Sequence, residues 1–87
     1  MAARLPETSK FQKLRKKLID RHERDALRKA VQNVLENPDS GKKLKGEFRD
    51  LRSLRFTVRG QPRRLIHKLE KDAMVLFSFG PRQGIYK

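Results

Sequence analysis

An alternating arginine strand and an arginine–tyrosine ending are the features of this sequence whose residue types and spacing can do chemistry. Leu54, Phe56 and Val58 alternate with Arg55, Thr57 and Arg59, a period of two that predicts a strand with one apolar and one basic face. Guanidinium groups suit bidentate contact with phosphate better than ammonium groups do. No carboxylates are interleaved, so pairing within the strand does not account for these cations. A like-charged face also costs stability unless a ligand compensates. A merely solvated face is the plainer alternative at this point. The ending Gly80-Pro81-Arg82-Gln83-Gly84-Ile85-Tyr86-Lys87 brings a cation, Arg82, and the only tyrosine to the edge of the same sheet. The plainer alternative there is that Tyr86 packs its ring and Arg82 caps the chain end.

Histidine is the usual general acid or base, and there are two. His22 falls in a predicted turn between helices, remote from the basic face. His67 alternates with Leu65 and Leu69, which predicts an inward, satisfied core or edge histidine. No Asp/Glu/His cluster has metal-ligand spacing, so metal-independent chemistry without a cofactor is expected. Cysteine is absent, which excludes disulfides, thiolate metal sites and a cysteine nucleophile.

The charge balance points the same way as the strand. The 87 residues carry 23 Lys+Arg against 10 Asp+Glu, a net charge of +13. Residues 1–40 hold 10 basic and 6 acidic side chains, and residues 41–87 hold 13 and 4, so the excess is concentrated after Ser40. Such a surplus favours a polyanionic partner: nucleic acid first, then acidic protein, with anionic lipid last. The longest apolar run, Ala73 to Phe77, is far short of the roughly 20 residues that span a bilayer. No apolar signal stretch opens the chain. A single domain over residues 1–87, cytoplasmic and with no membrane contact, is expected.

The elements that must position these residues follow from periodicity. Phe11, Leu14, Leu18 and Ile19 form one stripe of period 3.6, with Thr8 or Ser9 as cap. A break near Asp20-Arg21-His22-Glu23 leads to a second stripe of Leu27, Ala30, Val31, Val34 and Leu35, ending at Asn37-Pro38. A brief strand at residues 2–5 is a weaker expectation. Residues 38–46 read as loop. Then come the arginine strand, a turn at Gly60-Gln61-Pro62, a strand from Arg64 to Leu69, a turn at Glu70-Lys71-Asp72, and a strand from Met74 to Phe79. An α+β architecture follows: a two-helix antiparallel hairpin packed on one face of a three- to four-stranded antiparallel sheet. The arginine face then looks away from the helices. Phe56 lies inward, so the exposed aromatic platform of base-stacking RNA sheets is missing. This face is suited to gripping phosphates.

The chain resembles the RelE/ParE superfamily of toxins from type II toxin–antitoxin modules. The carriers are the helix hairpin, then Pro38 and Gly41-Lys42-Lys43-Leu44-Lys45-Gly46. They continue through Leu54-Arg55-Phe56-Thr57-Val58, Arg63-Arg64-Leu65-Ile66-His67 and Gly80-Pro81-Arg82 to Ile85-Tyr86. Thr57 stands where RelE-type members carry a second strand lysine, and His67 where a tyrosine is common. The resemblance implies a ribosome-dependent endoribonuclease that cuts translated mRNA, inhibits translation and is neutralised by a cognate acidic antitoxin. Its partners would be rRNA and mRNA, with DNA reached only through the antitoxin. ParE-type members of the same fold inhibit DNA gyrase instead, and a non-catalytic nucleic-acid-binding protein is a third class.

By the same resemblance Arg64, Arg82 and Tyr86 would be catalytic and Arg55 would bind RNA; the basic strand face adds Thr57 and Arg59, and the loop Lys43 and Lys45, as expected RNA-binding residues. The chemistry such an enzyme needs is attack of a ribose 2′-hydroxyl on the adjacent phosphorus. It calls for a base, a cation for the phosphorane charge and a proton for the leaving oxygen. Arg64 and Arg82 are fixed charges at working pH. Tyr86 is the base candidate, because flanking cations favour its phenolate.

Overall fold

The computed structural model describes residues 6–70 and 73–81. The expected strand at residues 2–5 lies outside them. Pro6–Thr8 runs beside the last strand of the sheet: the Leu76 amide donates to the Pro6 carbonyl at 2.9 Å, and the Thr8 amide to the Leu76 carbonyl at 3.1 Å. Thr8 is also the cap of helix α1, Ser9–Lys16, accepting from the Phe11 amide at 3.1 Å. Its hydroxyl donates to the Phe77 carbonyl at 2.6 Å. One side chain thus starts the helix and pins it to the sheet.

Helix α1 stops at Lys16, short of the expected stripe. Phe11 is buried and Leu14 and Leu18 are half-buried against the core, but Ile19 is 91 % exposed. Its place in the stripe required a helical turn that the chain does not make. Ile19→Gln is therefore expected to move the urea unfolding midpoint by less than the equivalent of about 0.5 kcal/mol, whereas a core isoleucine would cost several times that.

Helix α2, Arg21–Glu36, begins earlier than the sequence suggests. Asp20 caps it, accepting from the His22 amide at 3.0 Å, so Arg21–Glu23 form its first turn and not the break. Leu27, Ala30 and Val34 are buried, and the helix ends before Asn37-Pro38 as expected.

Four antiparallel strands form one sheet in the order β1-β2-β3-β4: Lys42–Lys43, Arg52–Val58, Gln61–Glu70 and Ala73–Gly80. The fold is α+β, two helices on one face of an open antiparallel sheet, with no helix of the described residues on the other. Strand β1 falls in the expected loop, pairing Lys42 with Ser53 and Lys43 with Arg52. Gly41 precedes it at φ +88°, and a Cβ there would sit 2.7 Å from the Ser53 carbonyl oxygen. Gly41→Ala meets both backbone strain and a backbone clash, and is expected to cost about 2 kcal/mol by chemical unfolding.

The β2–β3 turn is tighter than expected. Val58 pairs with Gln61, leaving Arg59-Gly60 as a two-residue loop with both φ positive, +53° and +81°. That is the signature of a type I′ hairpin, whose twist matches that of the flanking strands. Gln61 and Pro62 therefore belong to β3.

The pairing of β3 with β4 shifts by one residue: Ile66 faces Ser78, but His67 faces Leu76. Phe77 is the extra residue of this bulge. It reverses the alternation along β4, so Phe79, Leu76 and Met74 all reach the helix side. These three join Leu65, Phe11, Leu27, Ala30 and Val34 in the main core. Phe11 and Phe79 meet edge to face with ring centres 5.1 Å apart.

Candidate functional site

The strand register builds the open face row by row. Arg55 lies directly opposite Arg64, and Arg64 in turn opposite Gly80. On one side of that row stand exposed Thr57 and Pro62, and on the other Ser53 with the fully buried Ile66 and Ser78, so the face is open toward Thr57 and Pro62. Opposed residues of neighbouring strands project to the same side, with Cβ atoms about 5 Å apart. Two guanidinium groups therefore share one patch, next to a glycine that contributes no side chain. Thr57 and Ser53 supply hydroxyls at its margins.

Five other arginines of the described sheet, helices and turns are engaged. Arg15 makes a two-pronged contact with Glu7 at 2.7 and 3.0 Å. Arg28 pairs with Asp25 at 3.2 Å and Arg63 with Glu23 at 3.1 Å. Arg52 donates to the carbonyls of Asp39 and Gly41 at 3.1 and 3.3 Å. Among the described residues neither Arg55 nor Arg64 has a hydrogen-bond or ion-pair partner. Arg55 is exposed and Arg64 half-buried. Two opposed like charges with no counter-charge lower stability; they are compensated when an anion binds between them.

The remaining predicted residues divide. Thr57 is exposed on the same face as Arg55. Arg59 sits in the tight turn, not on the strand, and its guanidinium reaches Asp20 at 3.5 Å and donates to Nδ1 of His22 at 2.8 Å. The turn carries it to the start of α2, away from the Arg55–Arg64 row. Lys43 and Lys45 are exposed. By register Lys43 shares the side of Arg52, and it is Lys42, opposite Ser53, that lies on the arginine face. Arg82 and Tyr86 lie outside the described residues. Sequence reasoning overlooked Lys42 and Gly80. A glycine ending a strand marks room for close approach, and was the one available signal.

His67 occupies the inward face as expected, fully buried, but it is not satisfied: neither ring nitrogen has a hydrogen-bond partner among the described residues. Burial pushes its pKa down to about 4, and the positive charge of Arg52 opposite it acts in the same direction. The ring is neutral at pH 7 and faces away from the arginine row. No group of three His, Asp or Glu among the described residues is placed to hold a metal ion. No helix of the described chain is long and apolar enough to cross a membrane.

A small basic α+β chain with a helix pair on one side of an open antiparallel sheet and unpaired arginines on the other defines a recognisable class. A family profile for the ParE-like toxin of type II bacterial toxin–antitoxin systems matches residues 5–87, and the chain belongs to that family. A search of curated proteins by sequence finds no match. Among solved structures, the isolated E. coli RelE toxin is 27% identical with a TM-score of 0.74, covering 98% of this chain and 92% of that one. The intact E. coli RelBE toxin–antitoxin complex is 23% identical with a TM-score of 0.73, covering 94% of this chain and 99% of its counterpart. HP0894 of Helicobacter pylori, at 18% identity and a TM-score of 0.53, covers 90% and 92%. This protein is the toxin of a type II toxin–antitoxin system with the RelE/ParE fold.

Proposed function

We propose that this toxin is a ribosome-dependent endoribonuclease that cleaves translated mRNA in the cytoplasm and is silenced by a cognate acidic antitoxin. The observation that supports this reading is the cross-strand pair of exposed Arg55 and half-buried Arg64, with no counter-charge among the described residues. In the reaction the 2′-oxygen bonds to phosphorus and the bond from phosphorus to the 5′-oxygen breaks. A 2′,3′-cyclic phosphate and a 5′-hydroxyl result, the departing 5′-oxygen taking its proton from solvent water. Arg64 stabilises charge on the non-bridging oxygens, and Arg55 with Thr57 holds the flanking backbone. Arg82 assists Arg64, and Tyr86, as phenolate, accepts the 2′-hydroxyl proton. No metal or cofactor enters the scheme.

The test is a brief induction in cells followed by mapping of mRNA 5′ ends. Cuts within translated codons support the nuclease. Intact mRNA accompanied by DNA breaks and filamentation sinks it and favours gyrase inhibition by the same fold. Steeply salt-dependent RNA affinity with no product marks a binding protein without catalysis.

A further inference from the structure

Strand β2 presents residues from both of its faces to one groove. Pairing with β1 ends at Lys42 opposite Ser53, so the outer edge of β2 is bare beyond Ser53. Among the described residues no backbone hydrogen bond reaches Arg55 or Thr57 from that side. A groove of about 510 Å³ runs along this edge between β2 and α2. Arg55 and Thr57 line it from the arginine face and Leu54 and Phe56 from the helix side, with Ala26 and Ala30 on the opposite wall. Side chains alternate along a strand, so these four share a groove only because the edge between them is uncovered. Leu54, Phe56 and Ala26 are half-buried, and the small alanines leave the width for a flat ring.

Polar groups border the same slot. His22, Lys29 and Asn33 line it from α2. Arg59 donates to Nδ1 of His22 at 2.8 Å, so the neutral imidazole carries its hydrogen on Nε2 and donates there. Oδ1 of Asn33 accepts from the Ser40 hydroxyl at 3.4 Å, which leaves the Asn33 amide nitrogen as a donor. Lys29 is exposed and has no ion pair among the described residues. Asp25, at the rim, is turned to Arg28 at 3.2 Å. The N–H and C=O of one strand residue point to the same side, so Arg55 and Thr57 each offer a donor beside an acceptor. Adenine presents the complement, an N7 acceptor beside an N6 donor.

We propose that this groove is a nucleobase subsite, in which a base of the bound RNA lies between Phe56 and the alanines of α2 while its phosphate rests on Arg55. Two linked requirements select that occupant. A nucleotide carries an anion and a flat, largely apolar ring one sugar apart, and the groove places a cation and an apolar slot on the two sides of a single strand. Ring nitrogens and exocyclic groups need partners once buried, and the edge backbone, His22 and Asn33 supply them. An apolar peptide side chain in the slot would leave those groups unused. Phosphate contacts position a nucleic acid, whereas base contacts specify it, so this slot would influence which codon is cut. That consequence rests on the nuclease reading above; base binding itself does not.

The test records amide and methyl NMR spectra of the full chain with a deoxyadenosine dinucleotide, which lacks the attacking 2′-hydroxyl and is not cut. The same dinucleotide without its two bases is the control for phosphate alone. At saturation the probe is expected to shift the Ala26 and Ala30 methyl signals and to slow exchange of the Arg55 and Thr57 amides at least fivefold. The control should do neither. Ala26→Leu fills the slot from a half-buried helix position where leucine is a good helix former. With its amide spectrum otherwise native, it should bind the dinucleotide at least tenfold more weakly and the control as before. No shift at Ala26 and Ala30, equal shifts with the control or with hexaglutamate, or undiminished binding by Ala26→Leu overturns the inference. Cuts in mRNA without these shifts defeat this inference alone, and shifts without cuts defeat the nuclease alone.

Discussion

Arg64→Ala is expected to lower the rate of mRNA cleavage by about 10²–10³-fold, the usual loss when one preorganised donor to a developing oxyanion is removed. The same change should leave the protein as stable as before, or slightly more so in urea, because it relieves a direct cross-strand repulsion with Arg55. That opposite pair of outcomes is what separates a working residue from a structural one. Arg64 is half-buried, so its stem has packing to lose, and Arg64→Lys controls for that. Lysine keeps the stem and the charge but not the planar fork, and should recover only part of the rate. Arg55 is exposed and should matter less, about tenfold. Wild-type cleavage by Arg64→Ala would remove the arginine row from the mechanism.

Acid should unfold this protein through His67. Its pKa in the folded chain is depressed to about 4 from an ordinary 6.5, so between those values the unfolded chain binds the proton that the folded chain refuses. Stability is therefore complete above about pH 6.5 and falls as the pH drops toward 4. By linkage the loss reaches about 3 kcal/mol at pH 4. The ion pairs of Arg15, Arg59 and Arg63 are common to the native chain and a His67→Leu variant, so the informative quantity is a difference. His67→Leu removes the histidine contribution and keeps the volume. It should be at least as stable at pH 7, because two unpartnered buried nitrogens disappear. Urea midpoints at pH 7, 5.5 and 4 should fall less steeply for His67→Leu than for the native chain. Parallel curves would mean that the buried ring does not control acid stability.

The fold lay close to the surface of the sequence where its signals are local. Thr8 can cap because its hydroxyl needs only the amide three residues on. The stripe of Leu27, Ala30 and Val34 identifies the buried side of α2 by spacing alone, and Asn37-Pro38 stops it. The alternation from Leu54 to Val58 separates a core face from an arginine face with no tertiary information. Ile19 shows the limit, since a stripe continues on paper past the residue where the helix ends.

What residue order determined on its own is therefore a class: a cationic chain, α+β, with helices on one sheet face and arginine on the other. What only tertiary structure decided is which arginines stand together. Arg55 and Arg64 are opposed because Arg59-Gly60 closes the hairpin in two residues; a one-residue longer turn would shift every pairing. Arg59 looks equivalent to Arg55 in the sequence, yet the same turn delivers it to Asp20, 39 residues away along the chain. The bulge at Phe77 and the burial of His67 without a partner are likewise products of register. Periodicity acts over a few residues, whereas register and charge pairing depend on which distant segments meet.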